Sequence, residues 1–595
     1  MVTTTNYFSD SLEPHNPNIH SRDVITNPGS YSVLELARSW LNKCTAGHKL
    51  CELSSQLKLP RRLIDVGDHV NGLVMLHIVS PEERDLPYAA LSHCWGADTG
   101  AMTRLVEGNL TAMKQEIKQD SLAKSFQDAI EVTRGLHLQY LWIDALCIIQ
   151  DSTEDWAAEA AEMGQYYRGA AVTVCAVSAS QCQDGILRPR SETHTHPKIE
   201  TNEGAFYLRP LLPDSVTVTD AITYSDIRKP IRMQPWNSRA WTLQERLFSR
   251  RIIYFTDEQM VWQCKSRFFA EDGQHSYLKK PGGTQVIKRG LVDIVDYRPR
   301  VVGKTKKVVA PTVRSMQWYN LVRKYTQRSL TFARDRLPAL SGLALSGLAR
   351  EVHTHTKATY AAGLWVGHYN TTIIGLMWRP VRDSYDGIDP PEPMASPNGS
   401  PSWSWTSLVA EIEHPLADDD EVVVRKAGLD PEIISAKTIK TTSDPFGAVE
   451  GGVLVVKCWT HSYAGIRTFH KLCRTAQVYD WAEKRELRSN DPDSPNADFF
   501  ATFDLSQPDY LWKKGNDDLS RLKQVCLAFI AYTNPFEDGE NPNTNHAQQH
   551  FLLLEKIPGD EPPRYRRVGV AVTESGTLFS IGEENQWKRN TVSIV

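Results

Sequence analysis

Apolar runs alternate with helical segments between Tyr88 and Ala179, and this alternation limits the fold more than any other feature of the sequence. The apolar runs are YAALSHCW, LQYLWIDALCIIQ and AAVTVCAVSA, and the helical segments between them are SLAKSFQDAIEVTRGL and DSTEDWAAEAAEMGQYYRGA. Continuous apolar runs are typical of parallel strands, because such strands are buried on both faces. Since a helix that links two parallel strands packs on the sheet as a right-handed crossover, we predict an α/β domain with a parallel core.

The helical segments also carry recognisable ends. Ser152 is placed to cap the second segment, with Asp155 at the capping-box position and further acidic residues in the first turn. Gly135 is a natural stop for the first segment. An earlier segment, YSVLELARSWLNKC, has its apolar residues on one helical face and predicts a lead-in helix.

The chain beyond this unit predicts a different architecture. The stretch WNSRAWTLQERLFSRRIIYFTDEQMVWQC predicts a short helix at Thr242–Phe248 and a hairpin of Arg251–Phe255 with Gln259–Cys264. The runs GVLVVKCW, QVCLAFIAY, HFLLLEKI and RYRRVGVAV predict a mixed, β-rich C-terminal region. We divide the chain into a disordered N-terminal tail (1–30), a lead-in helix and strands (31–85), the α/β domain (86–270), a basic loop (271–312), a helical and mixed extension (313–405) and the β-rich region (406–595).

Composition and charge exclude several classes of function. A net charge of −4 over 595 residues favours neither nucleic acid nor a membrane surface as a partner. No apolar stretch reaches the roughly 18 residues of a membrane-spanning helix, and the polar N-terminus has no signal-peptide core. We expect a cytoplasmic protein whose 10 scattered cysteines are reduced thiols. We interpret the basic loop as a solvated insertion. Because the sequence has no G-x-G-x-x-G or Walker A pattern, we expect no bound cofactor.

Three sequence blocks stand out: YAALSHCWG, YLWIDALCIIQD and NSRAWTLQERLFSRRIIYF, in this order. Together they resemble the fungal heterokaryon incompatibility (HET) domain. The flanking segments WLNKCTAGHKLC, GLWVGH and PSWSW are similar to the usual surroundings of that domain. The resemblance therefore covers most of the chain from Trp40 to Trp405.

The resemblance implies a signalling protein of nonself recognition, whose HET domain acts as a cell-death effector. Its partners would be other incompatibility or signalling proteins, or further copies of itself. The resemblance also implies a flavodoxin-like sheet related to Toll/interleukin-1 receptor (TIR) domains, some of which cleave NAD. An alternative function is therefore that of a hydrolase that cleaves NAD(P), with NAD as its substrate. A non-catalytic protein-interaction module is a further alternative.

Two carboxylates are the candidate catalytic groups if the domain cleaves NAD. Asp144 follows YLWI, at the end of a strand where open α/β sheets bind ligands. Alternatively, Asp144 is a structural acid that accepts backbone N–H groups or pairs with Arg239. Glu245 could stabilise the oxocarbenium-like transition state of N-glycosidic cleavage, or could form a surface ion pair worth only about 0–1 kcal/mol.

The candidate substrate-binding residues are Ser92, Trp95, Gln150, Arg239 and Gln244. Ser92 and Trp95 lie where the first strand of the domain ends, and Gln150 either orients a substrate or caps a helix. A nucleophilic relay through His93 is disfavoured, because neighbouring strand residues point to opposite faces. The resemblance also argues against the relay, because the family more often has an aromatic residue at that position.

The segment CTAGHKLC offers Cys44, His48 and Cys51 as metal ligands. A structural zinc ion normally needs four ligands, and this spacing is C-x3-H-x2-C without a fourth. We therefore expect these residues to pack a helix end, and we expect no metal.

Overall fold

The computed structural model describes the backbone of much of the chain. The described residues are 5–9, 21–22, 24–52, 57–67, 72–96, 100, 102–190, 198–201, 204–210, 234–273, 275–277, 311–344, 347–381, 394–397, 399–417, 421–424, 429–442, 444–463, 478–480, 485–487, 499–503, 525–535, 548–573 and 587–595. They belong to two compact units, Met1–Asp296 and Tyr297–Val595. Among these residues, no helix combines the length and the apolar character that crossing a bilayer requires.

The strands of the first unit, as far as it is described, are β1 (Thr5–Ser9), β2 (Ser21–Arg22), β3 (Arg62–Asp65), β4 (Met75–Ile78), β5 (Tyr88–Ser92), β6 (Tyr140–Trp142), β7 (Val172–Ala176), β8 (Lys198–Thr201), β9 (Gly204–Pro210), β10 (Arg251–Phe255), β11 (Met260–Cys264), β12 (Arg267–Ala270) and β13 (His275–Tyr277). Its helices are α1 (Tyr31–Gly47), α2 (Leu110–Met113), α3 (Lys124–Gly135), α4 (Asp144–Cys147), α5 (Thr153–Gly169), α6 (Pro235–Ser238) and α7 (Ala240–Phe248).

Nine of these strands form the main sheet, in the order β13-β12-β11-β10-β7-β5-β6-β3-β4. The four central strands β10, β7, β5 and β6 are parallel, and the strands on either side of them are antiparallel. In chain order, β5 is the first parallel strand, β6 the second, β7 the third and β10 the fourth. Read across the sheet from β6 to β10, they lie in the order second, first, third and fourth. The predicted α/β fold with a parallel core is therefore confirmed.

Burial of the central strands explains why their sequences are apolar. Every residue of β5, β7 and β10 is buried, as expected for strands covered on both faces. Trp142 of β6 is fully buried and contacts the rings of Tyr166 and Tyr167 on α5, at centroid distances of 5.6 and 5.5 Å. Large aromatic rings thus fill the space between the sheet and the crossover helix.

The local predictions for this unit have mixed outcomes. The Ser152 cap is confirmed, because its side chain accepts a hydrogen bond from the backbone of Asp155. The short helix and the following hairpin are also confirmed. The strand predicted over LQYLWIDALCIIQ is too long, because β6 ends at Trp142 and Asp144 begins the helical turn α4. The Asp144 carboxylate accepts the next backbone N–H, which favours a turn over a strand.

A second, smaller sheet of the first unit has the order β2-β1-β9-β8. Two of its strands lie within the segment 1–30, for which we predict a disordered tail. The other residues of that tail up to Asp23 lie outside the described residues. So do residue 274 and residues 278–310 of the basic loop predicted at 271–312.

The second unit contains helices and a large sheet. Its described helices are α8 (Pro311–Thr326), α9 (Pro338–Ala344), α10 (Gly347–Thr356) and α11 (Tyr369–Leu376). Its described strands are β14 (Thr359–Ala361), β15 (Leu364–Val366), β16 (Arg379–Pro380), β17 (Met394–Ala395), β18 (Leu408–Val409), β19 (Ile412–Glu413), β20 (Glu421–Val424), β21 (Glu432–Lys440), β22 (Val449–Tyr463), β23 (Val478–Asp480), β24 (Arg485–Leu487), β25 (Phe499–Phe503), β26 (Val525–Pro535), β27 (Gln548–Lys556), β28 (Arg564–Thr573) and β29 (Lys588–Ile594).

The large sheet of this unit runs β20-β26-β27-β28-β29-β22-β21, and β25 pairs with β28. An additional pairing of β22 with β26 closes a ring of five strands. The four strand-like runs recognised in the sequence all lie in this sheet, so the predicted β-rich C-terminal region is confirmed.

Candidate functional site

The candidate site lies at the C-terminal edge of the parallel strands. From β5 the chain crosses to β6 on one side, whereas β7 and β10 lie on the other side. Open α/β sheets bind ligands at such a point, just beyond the carboxyl ends of the strands. Ser92 is the last residue of β5, and Asp144 follows two residues after Trp142 at the end of β6. The fold therefore brings two of the predicted site residues to one edge.

Ser92 is fully buried and is held by two side chains. Its hydroxyl donates a hydrogen bond to Oε2 of Glu245. The same hydroxyl oxygen accepts a hydrogen bond of 2.6 Å from Nε1 of Trp236, which lies on α6. Both its donor and its acceptor function are thus used, and its orientation is fixed. Sequence reasoning missed Trp236, although it directly precedes the block NSRAWTLQERLF.

Glu245 lies on α7, and only 6% of its surface is exposed. Burial raises the pKa of its carboxyl group to about 7. The hydrogen bond from Ser92 and the charge of Arg239 lower this pKa, whereas the negative charge of Asp144 raises it. The surface ion pair considered for Glu245 is therefore wrong, because its carboxylate is enclosed by the sheet edge and by α5.

Asp144 and Trp95 form the outer part of the site. Nε1 of Trp95 donates a hydrogen bond of 2.9 Å to Oδ2 of Asp144, and the backbone N–H of Ala145 donates one of 2.8 Å to Oδ1. The Asp144 side chain is 23% exposed, in contrast to that of Glu245. Asp144 thus accepts a backbone N–H, as the structural interpretation predicts. Its side chain also remains accessible to water.

Arg239 and His93 complete this part of the edge. Arg239 is half-buried, and its Nη1 donates a hydrogen bond of 3.2 Å to the carbonyl of His93. The imidazole of His93 is buried edge-on against Phe126, with 5.1 Å between the centroids, and its Nδ1 lies 3.9 Å from Oδ1 of Asp144. Burial lowers the pKa of His93 to about 4, so this ring is neutral at physiological pH. Because Ser92 donates to Glu245, the geometry gives no support to a relay through His93.

The two predicted glutamines have different surroundings. Nε2 of Gln150 donates hydrogen bonds of 3.0 Å to the carbonyls of Asp144 and Ile148, so its side chain holds the loop that follows β6. Gln244 is fully buried, and neither atom of its side-chain amide has a hydrogen-bond partner among the described residues. A buried amide without partners is energetically unfavourable, which makes Gln244 an unusual neighbour for Glu245.

The arrangement has a buried floor and a partly exposed rim. The floor consists of Ser92 and Glu245, and the rim consists of Trp95, Asp144 and Arg239. A carboxyl group with a pKa near 7 can exchange a proton near neutral pH. An indole, a carboxylate and a guanidinium at the rim offer stacking, hydrogen-bond acceptance and anion binding.

Comparison with known proteins gives one positive finding. Residues 88–245 match the family described as heterokaryon incompatibility protein (HET). The matched segment begins at the first residue of β5 and ends at Glu245, so it contains the floor and the rim of the site. No curated protein and no solved structure matches the chain.

Proposed function

We propose that this chain, whose residues 88–245 form a HET domain, functions in fungal heterokaryon incompatibility and that this domain is the cell-death effector. The family match supports the general function. In such a role, the contact between incompatible cells would switch the domain on, and the second unit would receive or regulate the signal.

We propose further that the domain acts by cleaving NAD or a related nucleotide. The observation that carries this step is Glu245, a buried carboxyl group with a raised pKa at the edge where α/β sheets bind ligands. The strand order second-first-third-fourth also agrees with the beginning of the flavodoxin-like order. This agreement supports a relation to TIR domains, and the proposed activity follows from that relation.

The proposed reaction breaks the bond between C1′ of the ribose and the pyridine nitrogen of nicotinamide. Water adds to C1′, nicotinamide leaves with the bonding electron pair, and one proton is released. In its ionised form, Glu245 would stabilise the positive charge that develops on the sugar and accept the proton from water. Asp144 and Arg239 at the rim would bind ribose hydroxyls and phosphate, and Trp95 would stack on a ring.

Access to Glu245 sets a condition on this activity. Ser92 is not exposed at all, and Glu245 is 6% exposed, so a substrate cannot reach the floor in this conformation. The proposed enzyme therefore needs an opening step, and self-association or a partner would supply it. A resting state of this kind fits an effector that must stay silent until a signal arrives.

The experiment is NAD turnover by the purified chain, before and after forced oligomerisation through a fused dimerisation module. The variants are Glu245→Gln and Asp144→Asn, which keep shape and remove charge. The matched control is Glu258→Gln, because Glu258 is an exposed acid at the turn of the β10–β11 hairpin. Circular dichroism and a melting curve verify that each variant is folded.

After forced oligomerisation, we expect turnover in the wild type and in the control, and at least a hundredfold loss in folded Glu245→Gln, typical for removal of a general base. Equal turnover in Glu245→Gln and wild type would contradict the assigned site. If no form turns over NAD, but cell death in a fungal assay persists in both acid variants, a recruitment module replaces the enzyme.

A further inference from the structure

Four metal-ligating side chains of the first unit converge where α1 ends. They are Cys44, His48, Cys51 and Cys264, and their ligand atoms all lie within 4.8 Å of one another. Cys264 lies 216 positions after His48 in the chain, so the local sequence pattern does not reveal it. The fold supplies the fourth ligand that the C-x3-H-x2-C segment lacks.

The local structure explains how these four residues meet. Cys44 and His48 are one helical turn apart, and His48 caps α1 by donating its backbone N–H to the carbonyl of Cys44. A single 3-10 turn, Lys49–Cys51, then brings Cys51 back to the same side. Cys264 is the last residue of β11.

Aromatic packing holds α1 against the strands that carry Cys264. Trp40 of α1 stacks on Phe269 with 6.0 Å between the centroids, and it lies 6.4 Å from the ring of Trp262. Both partners belong to the antiparallel strands β11 and β12. The cluster is therefore built on packed elements.

We propose that Cys44, His48, Cys51 and Cys264 bind a structural zinc ion. Zinc binds thiolate sulfur at about 2.3 Å and imidazole nitrogen at about 2.0–2.1 Å, so tetrahedral ligand atoms lie roughly 3.5–3.8 Å apart. The observed distance between Sγ of Cys264 and Nδ1 of His48 is 3.4 Å, close to that spacing. All three cysteines are free, buried thiols, whereas His48 is partly exposed.

The charges around the cluster suit bound thiolates. Three thiolates and one Zn²⁺ leave one negative charge, and the thiol protons pass to solvent when the metal binds. The buried guanidinium of Arg251 donates from Nε to Sγ of Cys44 at 3.1 Å. The backbone N–H of Arg267 donates to Sγ of Cys264 at 3.3 Å. Donors of this kind orient and stabilise metal-bound sulfur.

The ligand set also indicates which metal binds and what the metal does. Three sulfur ligands and one imidazole in a small cluster favour zinc over magnesium or calcium, which prefer oxygen. Four protein ligands leave no open position for water or substrate, so the ion is structural and not catalytic. It would fasten the end of α1 and the following turn to the antiparallel side of the main sheet.

The first experiment measures the metal content of the full-length chain. The chain is purified without an affinity tag, under reducing conditions, from cells supplied with zinc. Elemental analysis by inductively coupled plasma mass spectrometry is expected to give about one zinc ion per chain. Replacement by cobalt is expected to give the visible bands of tetrahedral coordination and a near-ultraviolet thiolate-to-cobalt transition.

Two results would overturn the zinc site. One is a folded, reduced chain that contains no stoichiometric zinc and gives no thiolate-to-cobalt band. Another is thiol counting on the denatured chain that finds two of the three cysteines joined in a disulfide. Neither result depends on a variant, so a variant that fails to fold does not obscure the answer.

A set of variants then tests the individual ligands. Cys264→Ser and His48→Ala are expected to lose the zinc or to bind it much more weakly, whereas His48→Cys is expected to retain it. Cobalt in His48→Cys should give a spectrum shifted towards that of four sulfur ligands. The matched control is Cys182→Ser, because Cys182 is equally buried in the same unit but lies outside the cluster. Full zinc content and an unchanged cobalt spectrum in folded Cys264→Ser would refute the assignment of the fourth ligand.

Discussion

The effect of Glu245 on the stability of the folded chain depends on pH. Its ordinary pKa is 4.5, and burial raises the folded-state pKa to about 7. Below pH 4.5 the group is protonated in both states, so no penalty arises. As the pH rises from 4.5 to 7, the unfolded chain releases the proton and the folded chain keeps it. The folded state therefore loses up to about 3 kcal/mol of stability over this interval.

We predict that Glu245→Gln gains stability relative to the wild type as the pH rises from 5 to 7.5. The amide carries no titratable proton, so this variant avoids the cost of burying a charge. Urea unfolding of both proteins at the two pH values measures the difference, and other titrating groups cancel in the comparison. A difference that does not change with pH would mean that the carboxyl group is hydrated in the folded chain.

The contribution of His93 to stability changes with pH in the opposite direction. Its pKa falls from 6.5 to about 4 because the ring is buried. Stability from the neutral ring is fully present above pH 6.5, and it is lost as the pH falls from 6.5 through 4, because protonation then favours the unfolded chain.

We predict that His93→Phe has a stability within about 1.5 kcal/mol of the wild type at pH 7.5 and exceeds it at pH 5. The ring contact with Phe126 can persist, and the buried Nε2, which has no hydrogen-bond partner among the described residues, is removed. Denaturant unfolding at both pH values tests the prediction, and NAD turnover should not change. A loss of turnover in a folded variant would restore a catalytic role for His93.

For the individual site residues, the sequence predicted that several lie at the C-terminal edge of the parallel strands, but it did not predict which of them are buried. The apolar stretches YAAL and YLWI indicated Ser92 and Asp144, because each stretch is followed directly by a polar side chain. The sequence leaves two interpretations for Glu245, a catalytic carboxylate or part of a surface ion pair, because a short amphipathic helix normally exposes its charged side chains. Trp236 was missed because its contact with Ser92 joins residues 144 positions apart.

Helix α5 illustrates how one element positions the site. Arg62 of β3 donates a hydrogen bond of 2.7 Å to Asp155 in the first turn of α5 and another of 2.7 Å to the carbonyl of Cys147. Asp155 also accepts a hydrogen bond of 2.8 Å from the backbone of Ile149. The start of α5 is thus tied to the strand β3 and to the loop that carries Gln150.

We predict that Ser152→Ala lowers the free energy of unfolding by about 1 kcal/mol, the usual cost of a lost N-cap. The Ser152 side chain accepts the N–H of Asp155 at 3.3 Å, and alanine leaves that group without this partner. Chemical denaturation measures the change. The control is Thr153→Ala, which alters an exposed residue next to the cap and should cost less than about 0.5 kcal/mol. Equal effects in both variants would show that the cap contributes nothing specific.

The elements were predictable where a local signal exists. Apolar runs and the Ser152 cap located the parallel strands and α5, because burial on both faces and capping are local effects. The end of β6 was placed too late, because the segment ALCII after Asp144 is as apolar as a strand, although its first three residues belong to the helical turn α4.

At the scale of the whole molecule, each unit contains its own buried core. Trp142, Trp236 and Trp262 are fully buried in Met1–Asp296, and Trp318 and Trp403 are fully buried in Tyr297–Val595. The proposed zinc ligands all belong to the first unit. The sequence did not reveal the complete cluster, because the end of α1 and the end of β11, which carries Cys264, meet only when the whole sheet has formed. A ligand stabilises the cooperative unit that binds it, so zinc should act on one unit only.

We predict two unfolding transitions in calorimetry of the full chain, of which a zinc chelator lowers only one. Free zinc at about a hundred times the dissociation constant of the site contributes about 2.7 kcal/mol, which corresponds to roughly 4 °C for a unit of this size. His48→Ala should show the lower transition without chelator, and the chelator should shift it no further. Cys182→Ser should respond to the chelator like the wild type. If the chelator lowers both transitions together, the two units unfold cooperatively and the division into independent cores is wrong; if neither moves, the metal does not stabilise the fold.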